Sequence, residues 1–188
     1  MSDEPAIRAP MPEGVTLEQG ADGLCIRYRW FSPRYLFMIL FCVVWDGFLV
    51  FWYRTALAHP SPGNIALWFP IAHVGAGIGL TYWTLAGFLN HTTVQVSSGQ
   101  LSVRHGPLPW PGGRTLPAGD IAQVYREEIA RSTRSGTSTS YRLSAVTHDE
   151  RKRKLLTCSS ADVALYVEQE VERCLGIADR RVAGEMPK

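Results

Sequence analysis

Between Tyr35 and Leu89 the chain carries only two charged side chains, Asp46 and Arg54, out of 19 Lys+Arg and 17 Asp+Glu in 188 residues. The stretch divides into two apolar runs. YLFMILFCVVWDGFLVFWY spans the 19 residues from Tyr35 to Tyr53, and IALWFPIAHVGAGIGLTYWTLAGFL spans the 25 residues from Ile65 to Leu89. A helix crosses the hydrocarbon core with ~20 apolar residues, so each run is long enough. Pro60, Pro62, Gly63 and Asn64 lie between them and predict a tight turn. Backbone in lipid must satisfy its own hydrogen bonds, which two helices joined by a short turn achieve. The reading is an antiparallel transmembrane hairpin over residues 33–90, with helices at 34–57 and 65–90. The 46% hydrophobic average over the whole chain describes neither half of it. This segregation excludes a purely soluble protein, a polytopic transporter of ordinary size and a disulfide-rich secreted domain. A net charge of +2 gives no reason to expect a nucleic-acid partner.

Aromatic residues crowd the ends of the runs: Trp30, Phe31 and Tyr35 at one, Trp52, Tyr53, Trp68 and Phe69 at the turn, Tyr82 and Trp83 towards the other. Such rings suit the headgroup level. Arg27, Arg29 and Arg34 precede the first run, Arg104 and Arg114 follow the second, and His59 to Asn64 contains no Lys or Arg. The positive-inside rule then places both termini in the cytoplasm and the turn outside, with the chain crossing the membrane twice. Arg54 opposes this weakly and is expected to snorkel to the headgroups. The first apolar run begins only at Tyr35, so the first helix, rather than a cleaved leader, is expected to direct insertion.

The rest of the chain has the charge of a water-soluble domain. Residues 1–14 and 177–188 read as disordered tails. In residues 15–32, Leu24, Ile26, Tyr28 and Trp30 alternate with Cys25, Arg27 and Arg29, the period-2 signature of a half-buried strand. Residues 91–176 read as a β domain with a final helix. Thr92–Ser97 and Gln100–His105 flank a Ser98-Gly99 turn. Gly106–Gly113, with three prolines, is expected to be a loop. Ile121–Ile129 and Tyr141–Thr147 read as strands separated by the polar loop RSTRSGTSTS, and Leu155–Cys158 as a last strand after the charged turn HDERKRK. Ser159 to Asp162 fits a capping box. Val163, Tyr166, Val167, Val171, Cys174 and Leu175 follow at helical spacing, and Gly176 ends the helix. Strands followed by one amphipathic helix predict a small open barrel plugged by that helix.

RYRWFSPRY before the hairpin, WDGFLVFWY inside it and NHTTVQVSSGQLSVRHGPLPWPGGRTLP after it carry a family likeness. Over Gly23 to Leu175 the chain resembles bacterial inner-membrane proteins with a two-helix transmembrane hairpin and a pleckstrin-homology-like domain. The resemblance implies a membrane α+β protein, with a strongly bent antiparallel sheet, a capping C-terminal helix and the hairpin inserted after an early strand. It brings no catalytic motif, since such domains mostly bind or scaffold.

Asp46 is the most informative single residue, because a carboxylate near the middle of a membrane helix costs at least ~2.5–3.5 kcal/mol. Counting from the turn, it lies ~16 Å deep and His73 on the second helix ~12 Å deep, about one turn apart. An intramembrane pair of Asp46 with His73 is one expectation. A hydrogen bond within the hairpin to Trp83 or Thr81, and a contact with another membrane subunit, are the others. Gly75 and Gly79 form a G-x-x-x-G pair extended by Ala72 and Ala76, a face for close packing against the first helix or against a partner, including a second copy. Pro107, Pro109 and Trp110 mark a recognition or membrane-contact loop, or a cover for one end of the barrel. Arg151, Lys152, Arg153 and Lys154 offer a contact to anionic lipids, or a solvated turn beside Asp149 and Glu150. Cys25, Cys42, Cys158 and Cys174 have no metal-ligand spacing, and the five histidines are scattered. No catalytic residue, cofactor or metal is therefore expected. The function expected is a non-enzymatic membrane-anchored interaction module, an accessory or assembly subunit of a larger inner-membrane complex. The rival is a peripheral lipid or small-ligand sensor using the β domain.

Overall fold

A computed structural model describes residues 9–20, 23–59, 65–133 and 136–177. Most of both expected tails, the turn residues Pro60 to Asn64 and Arg134 lie outside the described residues. The described parts of Met1–Arg29, His91–His105 and Pro109–Lys188 form one compact unit, and Trp30–Asn90 with Gly106–Leu108 form another.

Among the described residues the first unit contains eight antiparallel strands, a short 3-10 turn at Ala118–Asp120 and a helix. β1 (Val15–Gly20), β2 (Gly23–Arg29), β3 (His91–Ser97), β4 (Gln100–Gly106) and β5 (Arg114–Pro117) make one sheet in that order. β6 (Ile121–Thr133), β7 (Gly136–Thr147) and β8 (Lys152–Cys158) make a second. β2 and β3, far apart in sequence, are hydrogen-bonded neighbours from Leu24↔Val96 to Arg29↔His91. The alternation of β2 is literal: Leu24, Ile26 and Tyr28 are buried while Arg27 and Arg29 are exposed. Leu24, Ile26, Val94, Leu101 and Val103 from the first sheet share the buried set with Val124, Tyr125, Leu143 and Leu156 from the second. The helix α4 (Ala161–Leu175) packs on strands of both sheets and buries Ala164, Tyr166, Val167 and Val171. Fully burying a side chain the size of valine or larger contributes ~1.5–3 kcal/mol by removing it from water. A shift in the β7–β8 pairing opposes Leu143 to Leu156 and Ser144 to Lys154, which leaves Leu155 as the extra residue of a bulge. Leu155 and Leu156 are consequently both buried.

Several sequence expectations need correction. β5 lies in a segment with little apolar alternation. The supposed loop RSTRSGTSTS is mostly strand, with pairing continuing to Thr133↔Gly136. Thr is a common strand residue, so a Ser/Thr-rich segment is compatible with pairing even without apolar alternation. The run Lys152 to Lys154 belongs to strand β8 rather than to a turn. The helix is capped one residue later than expected: the Ser160 hydroxyl accepts from the Val163 N–H at 3.4 Å. Gly176 then closes it in the left-handed conformation at φ 66°.

The second unit contains α1 (Arg34–Ala58), α2 (Ile65–Trp68) and α3 (Ile71–Leu89). Both apolar runs are long and apolar enough to cross a membrane. The second run, expected as one helix, is divided at Phe69-Pro70, because Pro70 has no N–H to continue the ladder. The ends of the hairpin are tied where the Trp30 N–H donates to the Asn90 carbonyl at 3.1 Å.

Candidate functional site

The seam between α1 and α3 holds the polar chemistry of the hairpin. Tyr35, Cys42 and Leu49, seven residues apart, are the buried side chains of α1. Gly77, Thr84, Ala86 and Gly87 are those of α3. Seven-residue spacing keeps one stripe of a helix facing a neighbour. Across this stripe the Thr81 hydroxyl donates to Asp46 Oδ2 at 2.9 Å. Cys42 Sγ and Thr84 Oγ1 lie 3.6 Å apart. Trp45 Nε1 donates to the His73 carbonyl at 3.3 Å, Trp52 Nε1 to the Ala66 carbonyl at 2.9 Å, and the Tyr53 hydroxyl to the Leu67 carbonyl at 3.1 Å.

The last set has a cause in sequence. In an unbroken helix the Ala66 carbonyl would accept from the N–H of residue 70, which is proline. Trp52 supplies the missing donor from the other helix. The break at Pro70 and the indole at Trp52 therefore belong together.

Asp46 and His73 do not pair in this arrangement. The half-buried Asp46 carboxylate is held by Thr81, whereas the His73 ring is exposed and stacks on Trp45 at 5.9 Å between centroids and leans on Phe69 at 5.6 Å. The expected small-residue face is also displaced. Ala72, Gly75, Ala76 and Gly79 are all exposed, and a Cβ added at Gly75 or Gly79 would meet nothing within 4 Å. Gly77 and Gly87 are the glycines against α1. A Cβ at Gly77 would stand 2.9 Å from Asp46 Oδ1, and one at Gly87 would enter the Tyr35 ring. Their spacing to Thr81 and Thr84 was a signal available in the sequence, hidden by the more regular Gly75–Gly79 pair.

The loop residues separate. Pro107 and Pro109 are exposed and Trp110 is half-buried. Leu108 is clasped by Asn90, whose side chain donates to the Leu108 carbonyl at 3.0 Å and accepts from its N–H at 2.8 Å. Sequence reading missed Asn90, which is 1% exposed at the end of α3. Arg151 to Lys154 are exposed. Arg151 pairs with Asp149 at 3.0 Å, and the Lys152 ammonium lies 5.2 Å from the centre of the Tyr125 ring. Sequence reading also missed three buried glutamates on α4, Glu168, Glu170 and Glu172. Arg126 donates to Glu168 at 3.0 Å with both side chains buried, Gln123 Nε2 donates to Glu172 at 2.6 Å, and Arg173 pairs with Glu170.

Four groups of the β-rich unit are shifted towards their neutral forms. Burial pushes the Cys158 thiol up to about 11 and raises the Tyr28 phenol well above its ordinary value. Burial, then Lys154, lowers His105, whose Nδ1 lies 3.0 Å from the Thr92 hydroxyl. Partial burial, then Arg27 and Arg29, lowers His91. Among the described residues no three His, Cys, Asp or Glu side chains gather to hold a metal ion. No protein-family model and no curated protein matches the chain.

Proposed function

We propose that this protein is a membrane-anchored interaction module, an accessory or assembly subunit of a larger bacterial inner-membrane complex, without an enzymatic reaction of its own. The hairpin is its anchor, with both termini cytoplasmic, and the eight strands with α4 are a pleckstrin-homology-like domain. The observation that carries the reading is the surface of the hairpin. Apart from Met11, every exposed large hydrophobic side chain of the described residues falls between Phe31 and Leu89. A face of that extent needs lipid or protein to cover it. Asp46 interrupts it with a carboxylate that Thr81 only partly satisfies, which favours a partner helix offering a further donor at that depth.

The test is photo-crosslinking in intact membranes from a reactive residue placed at Val50, exposed one turn beyond Asp46. A discrete adduct to one membrane protein, retained in Asp46→Asn and diminished several-fold in Asp46→Leu, is expected. A chain that forms no adduct above background would overturn the reading.

A further inference from the structure

The arginines that flank the apolar runs in sequence do more than set orientation. In the five-stranded sheet, the outward positions of β2 are Cys25, Arg27 and Arg29, and those of β3 are His91, Thr93 and Gln95. Register sets Arg29 opposite His91 and Arg27 opposite Thr93. On β4, Leu101 and Val103 are buried, so Arg104 belongs to the outward alternation and is exposed. Three arginines and a histidine therefore share one sheet face. Glu18 is the only acidic residue in the five strands, and it stands opposite Cys25, one row away from Arg27. Among the described residues none of the three arginines is in an ion pair.

Chain continuity bounds how far two of these residues lie from the helix ends. His91 is two residues from Leu89, the last of α3, and Arg29 is five from Arg34, the first of α1. At ~3.6 Å per residue at most, His91 stays within ~7 Å and Arg29 within ~18 Å of a helix end. The headgroup layer adds ~5–8 Å beyond the hydrocarbon on each side, and an arginine side chain spans much of what remains.

We propose that Arg27, Arg29, His91 and Arg104 form a contact surface for the phosphate of an anionic phospholipid headgroup in the leaflet where the hairpin ends. Guanidinium forks match phosphate oxygens bidentately, and the imidazole adds an N–H donor between them. Each arginine at a membrane surface is worth about fivefold in affinity. The basic run Arg151 to Lys154 is the weaker candidate, because Arg151 is engaged by Asp149 and Lys152 by the Tyr125 ring. The proposal rests on the hairpin being a membrane anchor.

The experiment is native mass spectrometry of the full chain in non-ionic detergent, titrated with short-chain phosphatidylglycerol, with phosphatidylcholine of the same chain length, and with inorganic phosphate. Phosphatidylglycerol is expected to be retained in preference to phosphatidylcholine and not displaced by equimolar inorganic phosphate. R27Q/R29Q should weaken retention by roughly tenfold or more, and R104Q, on a separate strand, by about fivefold. K152Q/R153Q should leave it unchanged. Equal retention of the two lipids, equal loss in both double variants, or displacement by inorganic phosphate would overturn the proposal. Alkaline carbonate extraction separates the two levels: release of the chain from membranes removes the anchor reading and this one with it, whereas a chain that stays but shows no lipid preference removes this one alone.

Discussion

Gly87 and Gly75 look alike in sequence, each a glycine in an apolar helix, and the fold treats them oppositely. The missing side chain at Gly87 makes room for the Tyr35 ring, while Gly75 borders open space. Gly87→Ala is expected to destabilise the hairpin by ~1–3 kcal/mol through overpacking. Gly75→Ala should be neutral or mildly stabilising, since alanine is the better helix former by ~1 kcal/mol. Thermal unfolding in detergent measures both, and equal effects would contradict the seam described above. His105 gives a second residue-scale expectation. Its folded value lies below the ordinary 6.5, so as pH falls through 6.5 the unfolded chain takes up this proton while the folded chain does not. Stability is therefore full above that value and declines as the solution is acidified. His105→Gln should flatten the fall in Tm between about pH 7.5 and pH 5.5, above the range where carboxylates titrate. An unchanged slope would place the proton uptake elsewhere.

At the scale of elements, the hairpin joins a broken helix to aromatic donors on its neighbour. Trp52→Phe keeps most of the ring and removes the N–H that serves the Ala66 carbonyl, a loss of ~0.5–1.5 kcal/mol. Pro70→Ala restores a backbone donor for the same carbonyl. The double variant should therefore lose less than the sum of the two single ones, by ~1 kcal/mol in a double-mutant cycle of unfolding free energies. Strict additivity would show that the indole and the proline break are unrelated. The donor role of these side chains was not legible in the sequence, where Trp52 and Tyr53 read only as rings for the headgroup level. A helix that is apolar on every side does not mark by its pattern which stripe meets the other helix. In α4 the contrast between faces did mark the buried stripe, and Val163 to Leu175 read as a helix from spacing alone. Even there the three glutamates were opaque, because a buried carboxylate is tolerated only where a partner such as Arg126 waits on another strand.

For the molecule as a whole, β2 makes the β-rich unit depend on residues that precede the hairpin. Deleting residues 1–29 removes Leu24, Ile26 and Tyr28 from the core and bares the edge of β3. The remaining chain is expected to be cut by protease within residues 91–176 many-fold faster than the full chain, and equal resistance would show that β1 and β2 are dispensable. The sequence by itself determined that two long apolar helices are present, that antiparallel strands lie on both sides of them and that an amphipathic helix follows, because hydrophobic period and charge segregation are local properties of the chain. Only the tertiary structure decided that Thr81 rather than His73 holds Asp46 and that Gly77 and Gly87 rather than Gly75 and Gly79 face α1. It also decided that Arg27, Arg29, His91 and Arg104 share one face. Each of these depends on register and helix rotation, which are set by how residues distant in sequence pack together and leave no periodic trace along the chain.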